Sequence, residues 1–565
     1  MLKKPGLGNR LPALASAVGL ISVLTLLSRF FGFGRWLTQS AWVGTGAFAN
    51  AYATANQLPT VLFEVVAGGA LAGVTIPILA GPIADELRAE VQRISSALIS
   101  WALLLLTPIG VMVYFLAPWI GQVMPCPQGA DPQLQAHLIS VFLQMFALQV
   151  PLYGLCVVGT GILQAHEKFL LPALGPLLNS LVVISTYAIF GYLTPSVSDP
   201  EQVAHNAILI LGWGTTAGVA AMSLPLFIPI YRLGIRWRPT LRLGQGRGRK
   251  AMQLAGAGVG SLIAQQFSVL VIILVTRSYG VEGSLPIYQY SQSVYMLPYA
   301  VLAVPIATAM FPRLSWLIHR GDKGAFNLEC ASSTRFVTGI GLFGSALLVS
   351  VARPVTDIFA RINPVPGMLW ALVAMAPAVV GYGLVYHLSR VLYALGGAKQ
   401  AVIAASAGWL TVAALSWGLS ACLSSICANR ANAILLALGL AQSVGMSVGA
   451  LGLLIGLRQI AGKPALRGVA PAAGYGFFLA LGAGVSGWFI SGYLMELWVN
   501  IFGTFLRPPL RGVVTVAIMS PLLVRQLRER KMIYLLPAIN RQLGAEITKG
   551  DRLGSGRGNG RTLPR

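Results

Sequence analysis

The chain has 565 residues, of which 56% are hydrophobic and only 10% are charged, with a net charge of +24 and a mean hydropathy of +0.72. Soluble proteins carry roughly a quarter charged residues, so this composition excludes a water-soluble globular protein and predicts a surface that faces mostly lipid. The basic residues are spread over many short loops, which argues against binding to nucleic acid.

Apolar runs long enough to cross a bilayer, about twenty residues or more, follow one another along the chain. They predict an all-α integral membrane protein with about fourteen transmembrane helices. The first run continues far beyond any leader-cleavage site, so it is interpreted as an uncleaved first helix. The predicted spans are 11–43, 48–80, 92–121, 134–163, 169–194, 204–231, 252–277, 286–317, 333–357, 367–395, 400–424, 432–457, 468–494 and 509–524.

The distribution of Lys and Arg predicts the topology. With the N-terminus inside, about thirty of the 40 basic residues fall at the termini and in the even-numbered loops, and about six fall in the outer loops. Cytoplasmic loops are enriched in Lys and Arg, so both termini are predicted to be cytoplasmic.

A basic segment after the sixth span divides the chain into two similar parts. Pro59 and Pro77 of the second span recur as Pro298 and Pro312 of the eighth, at offsets of 239 and 235 residues. Two six-helix lobes of the same orientation imply a parallel pseudo-two-fold repeat with a central space between the lobes. The predicted domains are an N-terminal lobe (1–231), a basic cytoplasmic linker (232–251), a C-terminal lobe (252–462), two extra transmembrane helices (463–526) and a basic, disordered cytoplasmic tail (527–565).

Arg29 and Arg35 are the most informative residues, because both lie well inside the first predicted span. An arginine that faces lipid at depth costs at least a few kcal/mol, so such residues usually line a cavity. Six helical residues place the two side chains about 120° apart and about 9 Å along the axis. Guanidinium groups bind phosphate in a bidentate manner, which favours an anion site over snorkelling to the membrane surface.

The second span supplies further candidates for this site. Glu64 is the carboxylate that lies deepest in a predicted span, and pairing with one of the two arginines is the preferred interpretation. A proton carrier or a simple helix contact are the alternatives. Asn50 and Gln57 add polarity to the same helix, although ordinary hydrogen bonding between helices explains them equally well.

Enzymatic chemistry is not indicated. No span carries paired carboxylates, no His, Cys or Asp cluster has metal-ligand spacing, and no nucleotide-binding motif is present. The sequence therefore predicts a transport protein rather than an enzyme, with no cofactor and no bound metal.

Several motifs resemble those of the MurJ/MviN family of lipid II flippases. The first two spans carry the most specific ones, namely LSRFFGFGR at 27–35 and IPIL at 76–79. GILQAH at 161–166 and SRVLYALG at 389–396 follow the same family pattern. The resemblance covers nearly the whole chain, including the two extra C-terminal spans.

The resemblance implies a fold of the multidrug/oligosaccharidyl-lipid/polysaccharide exporter superfamily, in the bacterial cytoplasmic (inner) membrane. The implied activity is alternating-access transfer of lipid II, the undecaprenyl-pyrophosphate-linked peptidoglycan precursor, to the outer leaflet. In the family, arginines at the positions of Arg29 and Arg35 line the cavity and meet the diphosphate. The two extra spans form a groove for the lipid tail.

The chain also departs from the family pattern. Many members have Asp at the position of Asn50, Arg near Phe63 and Glu at Gly68, and a cavity Arg of the eighth span falls near Ser293. The carboxylates of the family's sodium site have no counterparts. These departures are compatible with an actinobacterial-type branch and leave the coupling ion open.

The expected partners are lipid II, anionic membrane lipids and, through the basic tail, cell-wall synthesis proteins. Two rival functions remain. One is an exporter of another polyprenyl-diphosphate-linked saccharide or of drugs, although a drug exporter for organic cations would favour carboxylates over arginines. The other is a non-transporting scaffold for cell-wall enzymes.

Overall fold

The structure is a computed structural model that describes residue 24 and residues 27–65, 72–194, 205–242 and 247–502. These residues are almost entirely helical, and one isolated β-bridge joins Gln128 to Val281. The predicted all-α class is confirmed. The predicted last span, the predicted disordered tail and most of the first span before residue 27 lie outside the described residues.

The helices up to the basic segment form what we call the first half. They are α1 (27–42), α2 (Ala47–Phe63), α3 (Ala72–Ala84), α4 (Arg88–Val123), α5 (Pro132–Phe146), α6 (Gln149–Ala165), α7 (Leu170–Leu193), α8 (His205–Ser223) and α9 (Phe227–Arg232).

The helices after the basic segment form the second half, followed by one further helix. They are α10 (Arg247–Ser278), α11 (Ser284–Pro298), α12 (Val304–His319), α13 (Lys323–Ile362), α14 (Met368–Ala394), α15 (Ala398–Ile426), α16 (Arg430–Ala461) and, beyond the second half, α17 (Val469–Phe502).

Ten helical segments of the described residues are long and apolar enough to cross a membrane, so the chain is a multi-pass membrane protein. Several of these helices begin at capping residues that the sequence supplies. The Asp131 carboxylate accepts hydrogen bonds from the Gln133 and Leu134 amides, and Pro132 occupies the first helical position. Such caps satisfy amide groups that have no partner in the first helical turn.

The second and eighth spans are interrupted, as their prolines predict. The helix of the second span contains Pro59 and passes into a π-helical turn at 64–65 before α3 begins. In the eighth span, a π-helical turn (Tyr299–Ala303) joins α11 to α12 directly after Pro298. Proline removes a backbone donor and clashes with the preceding turn, which opens the helical hydrogen-bond ladder at these points.

The two halves have separate hydrophobic cores. The first half contains two large cores, one around Phe142 and one around Leu163. The second half also contains two, one around Met375 and one around Leu453. A smaller cluster crosses between the halves, where Ala53 packs against Ile273 and Leu285. Most of the apolar packing therefore lies within each half, and α1 also packs on a core of the second half through Phe33, Trp36 and Leu37.

Helix α17 packs along α13 and exposes most of its apolar surface. The Arg353 guanidinium lies 4.2 Å from the Trp488 ring centroid and links the two helices. An apolar helix with so much exposed surface is suited to contact with lipid.

Candidate functional site

Helix α1 lies between the two halves and contacts both. Towards the second half, Phe33 packs edge-on against Phe359 at 6.4 Å, and Trp36 packs against Tyr290 at 6.0 Å. Towards the first half, the Tyr187 hydroxyl donates a 3.2 Å hydrogen bond to Gln39. Side chains on α1 are therefore placed where the halves face each other, which we call the seam.

The structure places Arg29 and Arg35 on this helix, six residues apart. The Arg29 side chain is exposed and lies within electrostatic range of Tyr299 in the second half. The Arg35 guanidinium lies 5.2 Å from the Trp36 ring centroid, and its Nε is buried without a hydrogen-bond partner. Two cations on the seam that keep free donors can bind an anion.

The expected ion pair between Glu64 and these arginines is not formed. Among the described side chains, neither Arg29 nor Arg35 lies within ion-pair distance of Glu64. Glu64 is partly buried in the π-helical turn at the end of α2 and lies within electrostatic range of Tyr382 in the second half. Arg29 and Glu64 thus lie near neighbouring tyrosines of the second half without forming an ion pair.

The remaining three predicted site residues occupy different environments. Asn50 is 1% exposed inside the first half, and its side-chain amide nitrogen has no partner. Gln57 lies on the seam and accepts a long 3.5 Å hydrogen bond from Gln289 of α11. Ser293 lies one turn beyond Gln289, partly buried, and its hydroxyl donates to the Tyr290 carbonyl. The seam thus brings Gln57 and Ser293 near the same helix face, whereas Asn50 points into the core.

An aromatic wall faces α1 from the second half, and sequence reasoning missed it. Tyr299 and Tyr382 pack edge-on at 4.5 Å, and Tyr382 packs against Trp409 at 6.1 Å. The Arg390 guanidinium stacks over Tyr386 at 4.0 Å and donates to the Thr308 hydroxyl at 3.1 Å. Aromatic faces neutralise part of a cation's field, so they hold Arg390 beside the seam.

The signal for this wall was present in the sequence as a tyrosine repeat. Tyr295 and Tyr299 are spaced by one helical turn, as are Tyr382 and Tyr386. Only the packing of α11 on α14 shows that the two pairs meet.

At one end of the molecule, loops of the two halves are joined by hydrogen bonds, and we call this the sealed end. The Tyr290 hydroxyl donates to the Gly44 carbonyl at 2.9 Å, and the Thr45 hydroxyl donates to the Pro364 carbonyl at 3.1 Å. The Glu282 amide donates to the Gln128 carbonyl at 3.1 Å. We call the opposite end, where the chain carries the arginine-rich segment 232–242, the basic end.

Two features of the loop between α10 and α11 tighten this contact. Gly283 adopts a φ of 86°, and a Cβ there would lie 2.3 Å from the Thr45 carbonyl oxygen, so only glycine fits. The Glu282 carboxylate lies beside the start of α2, where a Cβ on Gly46 would lie 3.1 Å from its Oε1, and partial burial raises the pKa of this carboxyl group. A carboxylate of the second half therefore lies beside the N-terminus of a helix of the first half, where negative charge is favourable.

Among the described residues, no group of three or more His, Cys, Asp or Glu side chains could hold a metal ion. The site consists of arginines, amide side chains and tyrosines. These groups donate hydrogen bonds, and the arginines carry positive charge, so the site is suited to bind an anion.

Two facing helical halves with a seam between them define a membrane transporter architecture. A solved structure described as a lipid II flippase MurJ in an inward closed conformation matches with a TM-score of 0.65, 19% identity, and coverage of 90% of this chain and 99% of that chain. An inward-facing multidrug resistance MATE family transporter of the MOP superfamily matches with a TM-score of 0.60 and 15% identity, over 78% of this chain and 97% of that chain. At these identities the likeness shows the fold alone.

The sequence profile of the family described as lipid II flippase MurJ matches residues 40–507. The chain belongs to this family. A relative from Synechocystis sp., described as a probable lipid II flippase MurJ, is 24% identical over 410 residues, which cover 69% of this chain and 73% of the relative. The family resemblance seen in the sequence is confirmed.

Proposed function

We propose that the chain moves lipid II from the inner to the outer leaflet of the bacterial cytoplasmic membrane, as a transporter and not as an enzyme. The family and the named relatives support this substrate. The observation that carries the site assignment is the pair Arg29 and Arg35 on the seam, neither of them neutralised by Glu64. Lipid II presents a diphosphate between its sugar and its prenyl chain, and diphosphate is the group that such arginines bind best.

The proposed mechanism is alternating access between the two halves. With the basic end assigned to the cytoplasm by the positive-inside rule, the sealed end faces outwards. The headgroup enters the seam from the cytoplasmic side, the prenyl tail remains in lipid, and the halves then rock to release the headgroup outside. An inside-negative membrane potential favours export of the anion, by about 2.3 kcal/mol per charge and 100 mV.

The domain division and the other partners belong to the same proposal. The first and second halves correspond to the lobes 1–231 and 252–462, which move relative to each other about the linker 232–251. Exposed arginines of that linker, together with Trp237 at 51% exposure, suit contact with anionic lipid headgroups. Recruitment of cell-wall synthesis proteins is assigned to the tail 527–565.

The test replaces Arg29 by Ala in cells depleted of their own lipid II flippase. We expect loss of growth and retention of lipid II in the inner leaflet, because at least two charge-assisted hydrogen bonds are removed, worth about 3 kcal/mol or a hundredfold in affinity. Arg93→Ala, on the exposed surface of α4, is the matched control and should complement fully. Full complementation by Arg29→Ala would refute the anion site.

A further inference from the structure

Arg277 is the largest fully buried side chain of the described residues, at 1% exposure, and the flippase site described above does not use it. It lies in the last turn of α10, at the sealed end. Buried arginines are rare unless a partner group accepts their hydrogen bonds. The partners of Arg277 therefore indicate what this residue does.

In the structure, every hydrogen bond that the Arg277 side chain donates is accepted by a group of the first half. Its Nε donates to the Pro125 carbonyl at 2.7 Å. Its Nη1 donates to the Thr54 hydroxyl at 3.1 Å and to the Gln135 side-chain carbonyl at 3.3 Å. One side chain of the second half thus contacts the α4–α5 loop, α2 and α5 of the first half at once.

The acceptors of Arg277 are themselves oriented for this task. The Thr54 hydroxyl donates its proton to the Asn50 carbonyl at 2.7 Å, so its lone pairs are free to accept. The Gln135 amide group donates to the Ala47 carbonyl at 2.6 Å, which turns its oxygen towards Arg277. Both acceptor side chains are buried, at 0% and 1% exposure. Such ordered polar networks fix one arrangement of the packed elements.

The same hydrogen bonds are suited to break when the two halves separate. Its three acceptors are neutral, so separation of the halves leaves no buried carboxylate behind. The second terminal nitrogen of Arg277, Nη2, is buried without any hydrogen-bond partner, and it gains hydration when the seam opens. Hydration of the guanidinium offsets part of the free energy of the hydrogen bonds that are lost. The closed and open states therefore remain close in free energy.

We infer that Arg277 is the latch of the sealed end, a positioning residue that holds the outward gate shut in one state of the transport cycle and becomes exposed to water in the other. This inference rests on the proposed alternating access. Its substitution releases the sealed end and leaves the folded halves intact, because its hydrogen bonds stabilise the contact between the halves.

The test measures exposure of a reporter beneath the latch, in full-length protein with the five native cysteines replaced by alanine. Ala53→Cys places a thiol at a site of 2% exposure in the cluster that crosses between the halves. Ala352→Cys places a second thiol at a site of 0% exposure within a core of the second half. Labelling by a membrane-impermeant maleimide added from outside is followed in membrane vesicles of known orientation.

We expect Arg277→Gln to raise the labelling rate of the reporter at position 53 at least tenfold, or about 1.4 kcal/mol in the opening equilibrium, with no change at position 352. Arg430→Gln is the matched control, since Arg430 also bridges the halves, through a 2.9 Å bond to Gln128, but from an exposed position. It should change the labelling rate by less than threefold. Thr54→Val removes one acceptor and should give an intermediate, selective increase.

The latch is overturned if neither Arg277→Gln nor Thr54→Val raises labelling at position 53 selectively, including the case in which both reporters become labelled together. These readouts do not involve lipid II. Failure of the latch therefore leaves the Arg29 complementation result standing, and failure of Arg29→Ala to affect growth leaves the latch standing.

Discussion

Two groups of arginines lie between the halves of this molecule, and their surroundings differ. Arg277 at the sealed end is buried and donates to a carbonyl, a hydroxyl and an amide of the opposite half. Only its Nη2 is left without a partner. The Arg35 guanidinium on the seam instead lies over the Trp36 ring, and its Nε is buried without a partner. A cation that donates most of its hydrogen bonds to the protein serves the structure, whereas one whose donors remain free is available to a ligand.

The largest effect is expected at Arg35. Arg35→Gln should weaken binding of undecaprenyl diphosphate to the purified protein about a hundredfold, because a bidentate guanidinium contact of about 3 kcal/mol is lost. Arg35→Lys keeps the positive charge but loses the bidentate geometry of the guanidinium group. Its affinity for undecaprenyl diphosphate should fall about tenfold. Titration with the lipid diphosphate in detergent measures both.

Arg320→Gln is the control for this titration. Its guanidinium stacks on Trp316 at 4.0 Å at the basic end, away from the seam, so the affinity should not change. Equal losses for Arg35→Gln and Arg320→Gln would mean that the lipid responds to total charge and not to the seam.

A smaller effect is expected from Gly283→Ala at the sealed end. Alanine in the left-handed region costs about 1–2 kcal/mol, and here its Cβ would also press on the Thr45 carbonyl oxygen, 2.3 Å away. The matched control is Gly396→Ala, which has a similar φ of 77° and nothing within 4 Å. Thermal unfolding in detergent should show a larger loss for Gly283→Ala, and equal losses would show that the loop contact contributes nothing.

The smallest expected effect is a pH dependence of closure at the sealed end, which arises from titration of Glu282. Burial raises the pKa of this carboxyl group in the closed state above its ordinary value of 4.5. The closed state therefore binds the proton more tightly, so closure is favoured as the pH falls towards that raised pKa and weakens as the pH rises through it. The groups near this carboxylate are the start of α2 at Gly46 and the thiol of Cys126.

Spin-label distances across the sealed end, measured between pH 4 and pH 8, give the populations of the two states for this test. Glu282→Gln should remove the dependence, because the amide does not titrate in this range. A dependence of the same size in Glu282→Gln would assign it to another group.

Much of the fold could be predicted from the sequence, because membrane spans are long apolar runs and proline marks their interruptions. The breaks after Pro59 and Pro298 are examples. The Arg29 and Arg35 pair could also be predicted as seam residues, since an arginine within an apolar span has few other places to lie.

The contacts that cross the seam could not be predicted in this way. Arg277 stands at the end of a predicted span, where the sequence does not show whether a basic residue is buried, and its acceptors Thr54 and Gln135 are 223 and 142 residues distant in sequence. The pairing expected for Glu64 was wrong because it rested on the cost of burying an unpaired carboxylate, and that cost does not show where the side chain lies. Such contacts depend on how two halves meet, and one sequence carries little signal for that.

Vesicles that contain the purified protein and fluorescent lipid II test whether the seam arginines carry a diphosphate lipid across the membrane. The loss of lipid II from the inner leaflet is followed with and without a membrane potential. We expect transfer by the native protein, and transfer at the protein-free rate for Arg29→Gln combined with Arg35→Gln. Transfer by the double variant at the native rate would show that these arginines do not carry the lipid.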